Sequence, residues 1–174
     1  MAQTVIGLTT TIDQAELLVD RLRSAGFISS DISVLLPDKE GSQDFAHKNS
    51  TKAPEGATAG ASTGGVIGGA LGWLAGIGAL AIPGLGAFVA AGPIMAALSG
   101  AAVGATVGGT AGALIGMGIP EYEAKMYEGK IREGNILIAA HSESKDMLKT
   151  AEDIFKELGA KDVHRSSEAK VEKK

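Results

Sequence analysis

GATAGASTGGVIGGALGWLAG, residues 56–76, is answered by GAAVGATVGGTAGALIG, residues 100–116. In the first run glycine returns every fourth residue, at Gly56, Gly60, Gly64, Gly68, Gly72 and Gly76. In the second it returns at Gly100, Gly104, Gly108, Gly112 and Gly116. Both runs lie in a block of 65 residues, Gly56 to Pro120, that holds no Asp, Glu, Lys, Arg or His. Four residues turn an α-helix by about 400°, so successive glycines wind slowly round one face. A face without side chains lets a second backbone approach closely. The block reads as two helical arms, Gly56–Ile82 and Ile94–Ile119, each about 40 Å long at the helical rise. Pro83, Gly84, Gly86, Gly92 and Pro93 interrupt the period between the arms and read as the turn of a helical hairpin.

Outward from the block the chain changes character. Lys39 to Glu55 is polar and reads as a linker. Before it, Thr4–Thr10 is β-branched and apolar, the composition of a strand. Thr11 with Gln14 has the capping-box spacing, and Ala15, Leu18, Leu22 and Ala25 form one helical face up to Gly26. Ile32, Val34 and Leu36 alternate as a second strand, which Pro37-Asp38 ends. Beyond the block, Pro120 suits the first position of a helix, and Tyr122, Met126, Tyr127 and Ile131 share a face. Asn135–His141 is a third strand, apolar on both faces. Ser144 caps a helix with the stripe Met147, Ala151, Ile154, Phe155 and Leu158, and Asp162–Arg165 is a short fourth strand.

The expected domains are a discontinuous α/β unit (1–38 and 120–165), the linker (39–55), the glycine-zipper hairpin (56–119) and a charged tail (166–174). Two βαβ halves predict an α+β, ferredoxin-like βαββαβ sandwich with the hairpin inserted between strands two and three. Its first and third strands lie in the middle of the sheet. They are the continuously apolar ones here, as covered strands should be.

The bulk numbers exclude some functions. Net charge is −4, which offers no nucleic-acid surface. There is no cysteine, hence no disulfide, thiol catalysis or thiolate metal site. The first residues lack the basic and apolar regions of a secretory signal. The medium of the arms is open. Each helical glycine costs about 0.8–1.0 kcal/mol against alanine, so an isolated arm in water should not persist. Lipid, where a helix satisfies its own amides, or a tightly packed protein surface would offset that cost.

Further stretches carry a resemblance. They are Gly78–Gly86, Ala90–Pro93, the second glycine run, Gly118–Ala124, Ile136–Ile138 and Leu158–Val163. Together they resemble a bacterial family of general stress or low-temperature-induced proteins. The resemblance implies a non-enzymatic, stress-associated, membrane-linked protein and supplies no catalytic residues.

Chemistry is sparse elsewhere. Gly129-Lys130 is followed by Ile131 and lacks the glycine a phosphate loop needs five residues earlier. Gly-x-Gly-x-x-Gly fails at Ala81 and Val89. His47, His141 and His164 are scattered, and His141 and His164 read as solvated strand-end residues rather than metal ligands. No catalytic, cofactor or metal residues are expected, and no nucleic acid or small-molecule substrate. The expected partners are membrane lipid and other copies of the chain, at the cytoplasmic side of an inner membrane. The alternatives are a fully cytoplasmic homo-oligomer or filament with buried glycine faces, and a small-ligand sensor.

Overall fold

The computed structural model describes residues 3–37, 73–74, 78–82, 86–104 and 110–167. The elements in order are β1 (Gln3–Thr9), α1 (Ile12–Ser24), β2 (Ile32–Pro37), β3 (Gly78–Ile82) and β4 (Gly86–Ala91). Then follow α2 (Pro93–Gly104), α3 (Thr110–Gly116), α4 (Glu121–Arg132), β5 (Ile136–Ser142), α5 (Lys145–Glu157) and β6 (Lys161–Ser167). The strands form one six-stranded sheet, ordered β3-β4-β2-β5-β1-β6. Every neighbouring pair is antiparallel.

The caps expected from sequence are present. The Thr11 hydroxyl accepts from Gln14 N at 3.2 Å, and Gln14 Oε1 accepts from Thr10 N. Ser144 accepts from Met147 N at 3.4 Å. Gly26, Gly134 and Gly159 follow their helices at positive φ. Pro120 sits one residue before α4 rather than inside it.

Each face of the sheet carries its own core. On one face α1 and α5 press Leu18, Leu22, Leu148 and Phe155 onto Val5, Val34, Ile138 and Ala140. On the other, Ile6, Leu8, Leu35 and Leu137 meet Ile94, Leu98, Leu114, Tyr127 and Ile131. The result is three layers, helices over sheet over helices. The second layer of helices is α2, α3 and α4.

Two expectations for the uncharged block change. Residues 78–82, expected at the end of a helical arm, form β3. Residues 86–91, expected in an irregular centre, form β4, which pairs β2 from Val34↔Ala91 to Pro37↔Phe88. The glycine spacing marks the change, since it falls from four to two at Gly76–Gly78 and Gly84–Gly86, the period of a strand. The second arm is also not one rod. α2 and α3 contact each other, and Ile94 and Leu98 share a core with Ala111, Ala113 and Leu114. A continuous helix would carry these residues apart at 1.5 Å per step. Among the described residues, no helix is long and apolar enough to cross a membrane.

Smaller differences concern individual side chains. Leu148 rather than Met147 is fully buried on α5. Tyr122, expected on the inner face of its helix, is 83% exposed. The fourth strand runs to Ser167, past the expected boundary.

Gly92 joins the insertion to the sheet. Its φ is +78°, and an added Cβ would lie 2.0 Å from the carbonyl oxygen of Ile32. Gly92→Ala should cost about 2–4 kcal/mol, from left-handed strain and the backbone clash together. Gly129, on the exposed face of α4, has nothing within 4 Å of an added Cβ. Gly129→Ala should gain about 0.5–1 kcal/mol. Urea unfolding of both variants checks the pair.

Candidate functional site

The glycine faces are only partly within the described residues. Gly100 and Gly104 lie on α2, and Gly112 and Gly116 on α3. Gly60, Gly64, Gly68, Gly72, Gly76 and Gly108 lie outside the described residues, as do Pro83 and Gly84. Gly86 opens β4, Gly92 makes the turn after it, and Pro93 begins α2. Gly92 and Pro93 therefore connect a strand to a helix, while Gly86 pairs with Ile82 at the end of the β3–β4 ladder. Gly116 faces open space, with nothing within 4 Å of an added Cβ. Trp73 packs against the α1-side core, under the Arg23 guanidinium, whose carbon is 4.8 Å from the ring centroid.

A polar chain runs through the other core. Thr4, Ser33 and His141 sit on β1, β2 and β5. Strand alternation puts all three on the side that α2 covers. Thr4 Oγ1 lies 2.9 Å from His141 Nδ1, and Ser33 Oγ lies 2.9 Å from His141 Nε2. Ser33 Oγ also accepts from the backbone N–H of Ile94, at 3.1 Å. Ile94 lies in the first turn of α2, where backbone donors have no partner within the helix. The Ser33 hydroxyl, which accepts from Ile94, keeps a proton and a second lone pair, so it can pair with Nε2 in either neutral tautomer, with Thr4 taking the complementary role at Nδ1.

Burial holds the imidazole neutral. It pushes the His141 pKa down to about 4, against an opposing pull from the Asp31 carboxylate. The expectation of a solvated strand-end histidine is thus corrected. The imidazole is partly buried, with both nitrogens engaged. His141 and His164 are not brought together, because β1 lies between their strands.

A second polar group ties α4 to β6. The Tyr127 hydroxyl donates to the carbonyl oxygen of Asp162 at 2.7 Å. Burial raises the phenol pKa well above its ordinary value, and the Glu123 and Asp162 carboxylates add to the rise. Asp162 has φ +51°, at a shift in register between β1 and β6. Close by, His164 Nε2 lies 2.8 Å from Glu123 Oε1, a carboxylate partner that sequence spacing did not indicate. Glu128 Oε2 accepts from Ala111 N at 3.0 Å and so caps the start of α3. Among the described residues there is no cluster of His, Cys, Asp and Glu suited to a metal.

The Thr4–His141–Ser33 chain was missed because its members are scattered in sequence. The available signal was a polar residue at an inward position of each of three apolar strands. No family model matches the chain, and neither a curated protein nor a solved structure matches it.

The depressed His141 pKa makes stability depend on pH. The unfolded imidazole takes a proton near pH 6.5 and the folded one near 4. The contribution is therefore complete above pH 6.5 and is lost as pH falls toward 4. Between pH 7 and 4.5 the wild type should lose about 2.5 kcal/mol more than His141→Gln. Urea unfolding at the two pH values measures the difference. Equal losses would refute this account.

Proposed function

We propose that the chain is a non-enzymatic, self-associating protein built on a ferredoxin-like βαββαβ unit, with the uncharged block inserted between that unit's second and third strands. The fold reading is supported by the order β6-β1-β5-β2, in which the outer strands flank β1 and β5 and both crossover helices share one face. The stress-associated role rests on the family resemblance.

The observation that carries the functional reading is the burial of Ile94, Leu98 and Leu114 against Ile6, Leu8 and Leu137. The second half of the uncharged block covers the sheet and needs no bilayer. The uncharged run left over, from Gly56 to Ile77, is 22 residues long. Both its ends return to one sheet, since β2 precedes it and β3 follows it. Two membrane crossings require about 40 apolar residues, and a single crossing would leave β2 and β3 on opposite sides. The glycine repeat of this run therefore fits close packing against another copy of the chain better than a transmembrane hairpin.

A second reading, peripheral contact with lipid at the cytoplasmic side, draws on the outer surface of α3 and α4. There Ile115 is 37% exposed and Tyr122 83%. Lys125 and Lys130 on α4 suit a headgroup region.

Sedimentation velocity of the full chain without detergent separates the readings. An assembly is expected, and Gly68→Leu should reduce it to monomer while the thermal unfolding of the α/β unit is unchanged. A monomeric wild type would overturn self-association. Pelleting with vesicles of anionic lipid, with unchanged mass in their absence, would favour the lipid reading. Gly116→Ala adds an internal comparison. If that face stays free in the assembly, the variant should be more stable by about 0.5–1 kcal/mol with no change in mass.

A further inference from the structure

We propose that His141 is an acid-sensitive latch: protonating its imidazole frees the start of α2 from β2 and loosens the inserted layer, while α1 and α5 stay docked on the opposite face. The inference stands on the geometry of the junction and does not depend on self-association.

The neutral ring uses every hydrogen-bonding atom at the junction. Ser33 Oγ accepts from Ile94 N and pairs with Nε2, and Thr4 Oγ1 pairs with Nδ1, so that one ring nitrogen donates and the other accepts. An imidazolium has a proton on both nitrogens and can only donate. Ser33 Oγ would then face two donors, Nε2–H and Ile94 N–H. Whichever hydroxyl had donated to the neutral ring, Ser33 or Thr4, would lose its acceptor at a buried position. A buried donor left unpaired is costly, so the arrangement must give way. The weakest link is the one between elements, Ile94 N–H to Ser33, because α2 belongs to an insertion that can move without breaking the β2–β5 ladder. Electrostatics act in the same direction. The ring sits one serine away from the N-terminus of α2, where the helix dipole disfavours a cation.

The groups facing the ring are few. Thr4 on β1, Ser33 on β2 and the Ile94 amide on α2 are neutral. Asp31, in the turn before β2, is the charged group whose field reaches the ring, and it favours the imidazolium. Glu143, two residues further along the chain, is exposed. Burial outweighs Asp31, which makes the docked state the one that holds the ring neutral. Below pH 6.5 each further fall in pH therefore favours release, until the docked ring itself takes a proton near pH 4.

Hydrogen exchange of the full chain, followed by mass spectrometry from pH 7.5 to 4 and corrected for intrinsic rates, tests the latch. Protection of residues 93–104 should fall about thirtyfold by pH 5, the factor set by the two pKa values. Protection of 12–24 and 145–157 should exceed that of 93–104 at every pH and fall only as far as the global stability does. His141→Gln should abolish the pH dependence at 93–104. Asp31→Asn removes a group that favours the docked imidazolium, so it should deepen the loss of protection at 93–104 near pH 4. Equal protection of 93–104, 12–24 and 145–157 at pH 5 would overturn the latch, because it would mark global unfolding as the route of exchange. An unaltered profile in His141→Gln would overturn it as well. If that variant does not fold, an unchanged loss of protection near pH 4 in Asp31→Asn has the same force.

Discussion

β1 and β5 are apolar on both faces, and the rest of the molecule follows from that constraint. Val5, Ile138 and Ala140 look one way, while Ile6, Leu8, Leu137 and Ala139 look the other. α1 and α5, the helices of the two crossovers, cover only one side. A sheet left bare on the second side would present a contiguous apolar surface to water. The insertion leaves from β2 and returns to β5, the adjacent pair at the middle of the sheet, so its helices lie within reach of the uncovered face. Each Leu or Ile it buries there contributes about 1.5–3 kcal/mol. In this structure α2, α3 and α4, all between β2 and β5 in the chain, supply the second covering layer.

That layer must also find its place along the strands. Apolar packing is tolerant of small shifts, whereas hydrogen bonds are directional. The covered face holds one polar seam, Thr4–His141–Ser33, and its free end meets the first turn of α2 at Ile94. Gly92 completes the junction with a left-handed turn too close to Ile32 for any side chain. The seam and the turn together set where α2 begins. The same seam holds the imidazole in its neutral form, so seating α2 and burying His141 are energetically one event.

Much of the α/β unit was legible because its signals are local. Thr11, Ser144, Gly26 and Gly159 mark helix ends through their own backbone chemistry, and Ile32, Val34 and Leu36 mark a strand through their period. The double-sided apolarity of Thr4–Thr10 and Asn135–His141 marked both as strands with a neighbour on either side, although β2 and β5 rather than β1 hold the middle of the six-stranded sheet. It also required a second covering layer, a consequence the sequence reading did not draw. β3 and β4 were hidden by a uniform Gly/Ala background, where only the shift of glycine spacing from four to two marked the change. The His141 seam was beyond sequence reasoning. Three strands far apart in the chain build it, and register alone brings Thr4 opposite His141.

The weak hydrophobicity of the uncharged block now has a physical explanation for its second half. A lipid-facing helix needs apolar side chains all round, because every face meets hydrocarbon. A helix lying on a sheet needs them on one stripe and benefits from small residues elsewhere, which let neighbouring backbones draw close. α2 buries Ile94 and Leu98, and α3 buries Leu114 between two alanines, Ala111 and Ala113. Gly100, Gly104, Gly112 and Gly116 sit in short helices that pack on each other and on the sheet, so tertiary contacts offset their intrinsic cost. The first half repeats the same glycine spacing, and its Trp73 and Leu74 already pack on the opposite face of the sheet with Val34, Val89 and Ala91, so that half too has a sheet face to set against the cost of its glycines.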